Sequence, residues 1–195
     1  MARLILITGG SRSGKSSFAL TLAESVSTQR LFVATCPTID REMSDRVTRH
    51  RQERRGRGWA TVEIPTELAA LFGDGVAGFE VILIDCITLW VNNILFTAPD
   101  NGTGIDDFQI GRLCEEWLLQ IENYHGTVIC VTNEVGLGIV PDNALARKYR
   151  DLVGTCNQII GKKADEVILV SCGIPLYLKM KKSTQPINKR QETLL

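Results

Sequence analysis

Residues 3–16, which read RLILITGGSRSGKS, decide the fold of this chain. An apolar run of strand length ends at Thr8, and residues 9–16 fit the spacing G-x-x-x-x-G-K-[ST] and open a segment of helical length. In such a loop backbone N–H groups surround phosphate oxygens, Lys15 reaches the β- and γ-phosphates, and Ser16 is a Mg²⁺ ligand. The sequence therefore predicts a phosphate loop that contacts a nucleotide through Gly9, Gly10, Ser11, Arg12, Ser13, Gly14, Lys15 and Ser16.

Outward from the phosphate loop, apolar runs of strand length alternate with segments of helical length. The predicted strands are Leu4–Thr8, Arg30–Ala34, Val81–Asp85, Thr127–Thr132 and Val167–Ser171. Their nearly continuous hydrophobicity is typical of parallel strands that are buried on both faces. The predicted helices are Lys15–Val26, Glu42–Glu53, Ile105–Tyr124 and Asn143–Lys163, with a short strand at Trp59–Ile64 and a short helix at Thr66–Phe72. This alternation predicts an α/β fold, P-loop NTPase-like, with a mostly parallel central sheet flanked by helices.

The length and composition predict one domain. Of the 195 residues 44% are hydrophobic, which suits a substantial core, and no apolar stretch reaches the roughly 20 residues of a membrane span. We expect a single domain at 1–178 and a basic, mobile tail at 179–195, where apolar periodicity is lost. The start lacks the pattern of a signal peptide, and six widely spaced cysteines favour reduced thiols, so a cytoplasmic location is expected.

A formal net charge of zero conceals two basic segments. Residues 41–57 and residues 179–195 each carry a net +4, so the remainder carries −8, which argues against a nucleic-acid partner but not against a local anion site. In the first segment helical spacing places Arg46, His50 and Arg54 on one stripe. Neighbouring cations disfavour protonation of the imidazole and keep a nucleophilic nitrogen available. A solvated basic helix face with an incidental histidine is the alternative interpretation.

Asp85 ends the predicted strand V-I-L-I-D, where a second acidic residue would hold the metal ion of the nucleotide. An ordinary carboxylate at a strand end is the alternative. Signalling GTPases read guanine through Asn-Lys-x-Asp, and the similar T-N-E-V at 132–135 lacks both the Lys and the Asp. Small size and an acidic body disfavour a nucleic-acid translocase. A small-molecule kinase or transferase remains.

Further motifs carry a resemblance to one enzyme family. They are A-T at 34–35, D-R-E-M-S-D-R-V-T-R-H-R at 40–51, W-A-T-V-E at 59–63, D-C-I-T at 85–88, V-T-N-E-V-G-L-G-I-V-P at 131–141, A-R-K-Y-R-D at 146–151 and G-I-P at 173–175, together with the phosphate loop. These blocks cover about residues 3–178 in order. On them the chain resembles the bifunctional adenosylcobinamide kinase/adenosylcobinamide-phosphate guanylyltransferase (CobU) family of cobalamin biosynthesis.

The resemblance implies two reactions at one protein. Family members phosphorylate the aminopropanol hydroxyl of adenosylcobinamide with ATP or GTP, and then transfer GMP from GTP to adenosylcobinamide phosphate, giving adenosylcobinamide-GDP and pyrophosphate. The second reaction passes through a guanylyl-histidine that falls on His50, so His50 and Lys15 are the expected catalytic residues. Further nucleotide contacts fall on Ala34, Thr35, Cys36, Arg51, Gln52, Glu53, Arg54, Glu63 and Asp85, with Ser16 and Asp85 as Mg²⁺ ligands. The resemblance also implies a homo-oligomer, a trimer.

Two alternatives stay open on the sequence alone. One is a family member that keeps only the guanylyltransferase activity, and the other is a non-catalytic nucleotide-sensing P-loop protein. The loop at 133–138 follows a buried strand, and ligands of open α/β sheets bind outside the carboxyl ends of strands. We expect this loop to shape the cobinamide side of the site, with Asn133 or Glu134 contacting substrate or metal. A purely structural turn is the alternative.

Overall fold

A seven-stranded sheet forms the centre of the computed structural model, which describes residues 2–36, 48, 52, 54–72, 74–97 and 104–180. The strands are β1 (Arg3–Thr8), β2 (Arg30–Ala34), β3 (Trp59–Glu63), β4 (Val81–Asp85), β5 (Thr127–Val131), β6 (Glu166–Ser171) and β7 (Ile174–Lys179). Their spatial order is β3-β2-β4-β5-β1-β6-β7, and every neighbouring pair is parallel except β6 and β7. The predicted α/β fold with a mostly parallel sheet is confirmed.

Helices cover both faces of this sheet. They are α1 (Lys15–Val26), α2 (Leu68–Leu71), α3 (Ile87–Thr97), α4 (Asp107–Ile121) and α5 (Ala144–Lys163), with single 3₁₀ turns at Asp74–Val76 and Val135–Leu137. The apolar residues of α1 pack on one face, against side chains such as Ile5 and Ile129. The helices α2 to α5 bury the other face, where Trp90 and Trp117 are almost wholly enclosed. Strands covered on both sides need apolar residues at consecutive positions, which is the pattern in the sequence.

Local signals fix where the longer helices begin. The Asp106 carboxylate accepts a hydrogen bond from the Gln109 N–H at 2.7 Å, and the Gln109 side chain accepts one from the Asp106 N–H at 2.9 Å, so a capping box starts α4. The Asn143 side chain accepts hydrogen bonds from the N–H groups of Leu145 and Ala146 and caps α5. None of the described helices combines the length and apolarity that a membrane crossing requires.

Two elements went unpredicted, α3 and β7. Helix α3 begins two residues after β4 and reads ITLWVNNILFT, so only Asp85 and Cys86 lie between the apolar residues of the strand and a largely apolar helix. Strand β7 follows β6 through a two-residue turn at Cys172 and Gly173, both with positive φ, 53° and 79°. That geometry is typical of a tight hairpin, and only the glycine signals it in the sequence.

The predicted helix Glu42–Glu53 lies outside the described residues except for Thr48 and Gln52, which have helical backbone. Strand β7 extends to Lys179, one residue past the predicted domain boundary, and the Lys179 ammonium donates to the carbonyls of Gly161 and Lys162 at 3.1 and 2.9 Å. Lys179 therefore belongs to the fold, while residues 181–195 lie outside the described part. The division into a domain and a tail stays a prediction.

Candidate active site

The carboxyl ends of the parallel strands meet along one edge of the sheet, and most of the predicted site residues lie there. The phosphate loop follows β1, Thr35 and Cys36 follow β2, and Asp85 is the last residue of β4. Strand β5 lies between β1 and β4, so Asp85 is two strand spacings, roughly 10 Å, from the strand that carries the phosphate loop. The sheet thus brings a loop of backbone donors and a carboxylate to the same edge.

Close packing shapes the phosphate loop. A Cβ on Gly9 would lie 2.3 Å from the Val170 carbonyl oxygen, and a Cβ on Gly14 would lie 3.1 Å from the Gly173 Cα. Gly14 also has a φ of 93°, which side chains disfavour. The Gly173 N–H donates to the Ser13 carbonyl at 2.8 Å, so the hairpin between β6 and β7 supports the loop. Gly9 and Gly14 are therefore required by a tight backbone, as in loops whose N–H groups surround phosphate oxygens.

Lys15 and Ser16 open helix α1 directly behind this loop. The Lys15 ammonium donates to the Gly10 carbonyl at 3.0 Å, so its charge lies over the loop rather than away from it. The amino end of a helix adds positive potential and free N–H donors. Loop, cation and helix end together form a site suited to a polyphosphate.

Glu134 joins the loop after β5 to the phosphate loop. Its N–H donates to the Gly9 carbonyl at 3.2 Å, and its carboxylate accepts a hydrogen bond from the Thr8 hydroxyl at 2.6 Å. The Asn157 amide of α5 donates to the same carboxylate oxygen at 3.4 Å and to the Asn133 carbonyl at 3.2 Å. The loop after β5 is therefore built into the site, which the sequence indicated only by its position at a strand end.

A second network holds the start of α3 against β5. The Asn133 N–H donates to the Thr88 hydroxyl at 2.8 Å, and the Thr132 hydroxyl donates to the Asn157 side-chain oxygen at 2.7 Å. The Tyr149 hydroxyl of α5 donates to the Thr88 carbonyl at 3.1 Å. These partly buried hydrogen bonds fix the position of Asn133 and its neighbours relative to the start of α3.

Thr35 braces the segment after Asp85. Its hydroxyl donates to the Cys86 carbonyl and accepts from the Cys86 N–H, both at 2.8 Å, and its own carbonyl accepts from the Asn93 amide of α3 at 2.7 Å. Burial raises the pKa of the Cys86 thiol to about 12, with a further contribution from the Asp85 carboxylate, while the Lys15 ammonium opposes the shift. Cys86 is therefore an uncharged packing residue beside the site.

The remaining predicted residues lie farther along the sheet. Glu63 is exposed at the end of β3, four strand spacings, roughly 19 Å, from β1. The Arg54 guanidinium stacks 3.5 Å from the ring centroid of Phe32 in β2 and is buried. A groove of about 670 Å³ passes between them, lined by residues that include Arg54, Trp59 and Glu63. Ala34 ends β2 at the inner side of this region.

His50, Arg51 and Glu53 lie outside the described residues, and Gln52 is an exposed residue with helical backbone. The chain enters this segment after Cys36, at the carboxyl edge of the sheet, and leaves it at Arg54.

The support of the phosphate loop by Gly173 and by Thr8 was not predicted from the sequence. Neither residue has a sequence signal for that role, because both contacts join segments more than 120 residues apart.

The fold and this edge of the sheet define the class of protein, a P-loop NTPase-like α/β protein. A solved structure of an ATPase domain matches with a TM-score of 0.54 over 92% of this chain and 78% of that chain. The sequence identity is 11%, so this likeness concerns the fold alone.

The chain belongs to the cobinamide kinase / cobinamide phosphate guanyltransferase family, whose model matches residues 5–178. The bifunctional adenosylcobalamin biosynthesis protein CobU of Escherichia coli (strain K12) is 40% identical, over 90% of this chain and 99% of the relative. CobU of Salmonella typhimurium is 38% identical over the same shares, and CobP of Pseudomonas aeruginosa is 36% identical over 89% and 96%. The predicted family is confirmed.

Proposed function

We propose that this protein phosphorylates adenosylcobinamide with ATP or GTP, and then transfers GMP from GTP to adenosylcobinamide phosphate, releasing pyrophosphate. One observation carries the proposal: a phosphate loop, closed around Gly9 and held by Glu134 and Gly173, in a chain that belongs to this enzyme family throughout residues 5–178. A glycine-rich turn that binds no phosphate would not require a lysine at the start of the following helix, with its ammonium on the Gly10 carbonyl.

Lys15 is the proposed catalytic cation of the first step. Its ammonium lies over the loop, where it stabilises negative charge that develops on the transferred phosphoryl group. Ser16 and Asp85 supply a hydroxyl and a carboxylate oxygen, which are the donors that Mg²⁺ prefers. The ion, when bound, neutralises phosphate charge. The N–H groups of residues 9–16 would hold the phosphates.

His50 is the proposed nucleophile of the second step. A ring nitrogen would attack the α-phosphorus of GTP with loss of pyrophosphate, and an oxygen of adenosylcobinamide phosphate would then displace the histidine. Two easier displacements replace one difficult encounter. Flanking cations at Arg51 and Arg54 would bind phosphate oxygens, and the other nucleotide contacts are assigned to Ala34, Thr35, Cys36, Gln52, Glu53 and Glu63.

The partners follow from this proposal. The small-molecule substrates are adenosylcobinamide and its phosphate, a nucleic acid has no role, and the cytoplasm is the expected location.

We also propose a homo-oligomer, a trimer. The outer edge of β7 is the end of the sheet and carries several exposed apolar side chains, features that an association with another copy would cover.

Incubation with α-labelled GTP and Mg²⁺ tests the guanylyl step. We expect label that survives alkaline denaturation, is lost in acid, and is absent from His50→Ala. The matched control is His125→Ala, which removes the other histidine, an exposed one, and should label normally. Label retained by His50→Ala would contradict the assigned nucleophile.

Phosphate transfer from γ-labelled ATP or GTP to adenosylcobinamide tests the kinase step. Lys15→Ala should abolish this transfer, whereas Lys162→Ala, an exposed lysine in the last turn of α5, should not. Unchanged turnover in Lys15→Ala would count against the phosphate-loop mechanism. A wild-type chain that guanylylates but cannot phosphorylate would support the guanylyltransferase-only alternative, and bound GTP without pyrophosphate release would support a sensor.

A further inference from the structure

The loop between β5 and α5 presents an exposed apolar surface. Leu137, Ile139 and Val140 have side chains that are 80%, 95% and 60% exposed, and we call these three residues the apolar ridge. Isolated exposed apolar residues are common on proteins, but three within four positions form a patch that normally has a ligand or partner.

Hydrogen bonds hold the apolar ridge in place. The Arg150 guanidinium donates to the Gly136 carbonyl at 3.0 Å, and the Arg147 guanidinium donates to the carbonyls of Pro141 and Asp142 at 2.9 and 2.7 Å. Both arginines belong to α5. Because side chains of a long helix fix the backbone on either side of the ridge, its exposure is a property of the folded state and not of a loose loop.

The apolar ridge begins beside the phosphate loop. Glu134, three residues before Leu137, donates its N–H to the Gly9 carbonyl and accepts from the Thr8 hydroxyl. Ile139 is five residues beyond Glu134, a reach of at most about 17 Å even in a fully extended chain. A molecule that presents a hydroxyl or phosphate to the loop and has a wide body with apolar groups can therefore reach the ridge.

We propose that the apolar ridge receives the corrin macrocycle of adenosylcobinamide while its aminopropanol arm extends to the phosphate loop. This inference rests on the proposed function. The macrocycle is wide and flat and carries methyl groups between the amide side chains of its rim, and burying those methyl groups against aliphatic side chains is favourable. The exposed side chains of β7, which lie at the edge of the sheet, are the surface for another copy of the chain, and the ridge beside the nucleotide is the surface for the acceptor.

Equilibrium dialysis with adenosylcobinamide, read by its visible absorbance, tests the proposal in the full-length protein. The double variant Leu137→Ser/Ile139→Ser should raise the Kd for adenosylcobinamide by about tenfold or more, as expected when two large apolar contacts are lost. Phe108→Ser, which removes a side chain 73% exposed on α4, is the matched control and should leave the Kd unchanged. The KM for adenosylcobinamide should rise while the KM for GTP does not.

A second measurement separates this inference from the proposed function. Labelling with α-labelled GTP needs no corrinoid, so the double variant should label like the wild type. An unchanged Kd in the double variant would overturn the inference and leave the function standing. A fall in oligomer mass in light scattering would also overturn it, because the ridge would then cover another copy. A wild-type chain that binds no adenosylcobinamide would refute the proposed function, and the inference with it.

Discussion

At the scale of single residues, the phosphate loop depends on the lack of a Cβ atom in glycine. Gly9 passes the end of β6 so closely that a methyl group would penetrate the Val170 carbonyl. Gly10, its neighbour, has no described atom within 4 Å of a built Cβ. The two adjacent glycines therefore differ. Gly9 permits a close approach of two backbone segments, whereas the surroundings of Gly10 have room for a Cβ atom.

Gly9→Ala should lower the free energy of unfolding by about 1–3 kcal/mol, the usual cost of forcing extra volume into a packed site. Gly10→Ala is the matched control and should remain within about 0.5 kcal/mol of the wild type. Urea unfolding followed by circular dichroism measures both. Equal midpoints for the two variants would show that the loop adapts to a side chain at Gly9.

Thiol reactivity reports a second property of single residues. Cys172 is exposed, whereas the pKa of Cys86 is raised to about 12 by burial and by Asp85. At pH 8 only roughly one Cys86 in ten thousand would be a thiolate, and that fraction rises about tenfold with each unit by which the pH increases toward the pKa. Iodoacetamide at pH 8, followed by peptide mapping, should modify Cys172 long before Cys86. Equal rates at the two positions would contradict the raised pKa of Cys86, whose side chain is only partly exposed.

At the scale of elements, α5 organises the loop after β5. Arg150 and Asn157 are separated by seven residues, two turns, and so lie on the same face of the helix. Arg150 holds the Gly136 carbonyl, and Asn157 holds Asn133 and Glu134. One helix thereby positions both the apolar ridge and Glu134, whose carboxylate contacts Thr8 and whose N–H contacts Gly9.

Asn143→Ala should destabilise α5 by about 1 kcal/mol, because two N–H groups of its first turn lose their acceptor. Asn143→Asp keeps an acceptor and adds a negative charge beside a first turn that has no acidic residue, so it should match or exceed the wild type. The urea midpoint provides the comparison. An aspartate variant as unstable as the alanine variant would exclude capping as the role of Asn143.

At the scale of the whole molecule, the described sheet ends in two edge strands, β3 and β7, and β7 is the one with several exposed large apolar residues. Within the described part of the chain β7 pairs only with β6. Most of its residues are exposed, among them Ile174 at 69%, Leu176 at 57% and Leu178 at 58%, and so is Met180 at 65% just beyond its end. A strand of this kind is a site for association, because an edge strand offers both backbone hydrogen-bonding groups and apolar area.

Leu176→Lys/Leu178→Lys should reduce the mass in light scattering from a multiple of the 21.6 kDa chain to that of one chain. Two lysines on an apolar contact would be buried as unpaired charges if association persisted. Leu119→Lys, at a position 54% exposed on α4, is the control and should keep the wild-type mass. A wild-type chain of 21.6 kDa in solution would refute the oligomer.

Local sequence signals predicted some helices and strands correctly and left others unpredicted. The ends of α1 and of β2 agree with the prediction, because glycine at 14 and an unbroken apolar run mark them locally. Helix α3 was missed because its apolar residues continue those of β4, and β7 was missed because an edge strand with a proline has little pattern of its own. The site residues at Lys15 and Asp85 were named from motifs, but the contacts of Glu134 with Thr8 and Gly9 could not be.

The amino-acid sequence by itself determined the phosphate loop, the class of sheet and the family, because each depends on residues close together in the chain. Only the tertiary structure decided which strand lies between β1 and β4, that Gly9 meets Val170, and that Arg147 and Arg150 hold an apolar ridge beside the loop. These facts depend on contacts between segments distant in sequence or on the exposure left after packing. Local propensity does not contain that information, since the same residues would have the same pattern in any arrangement of strands.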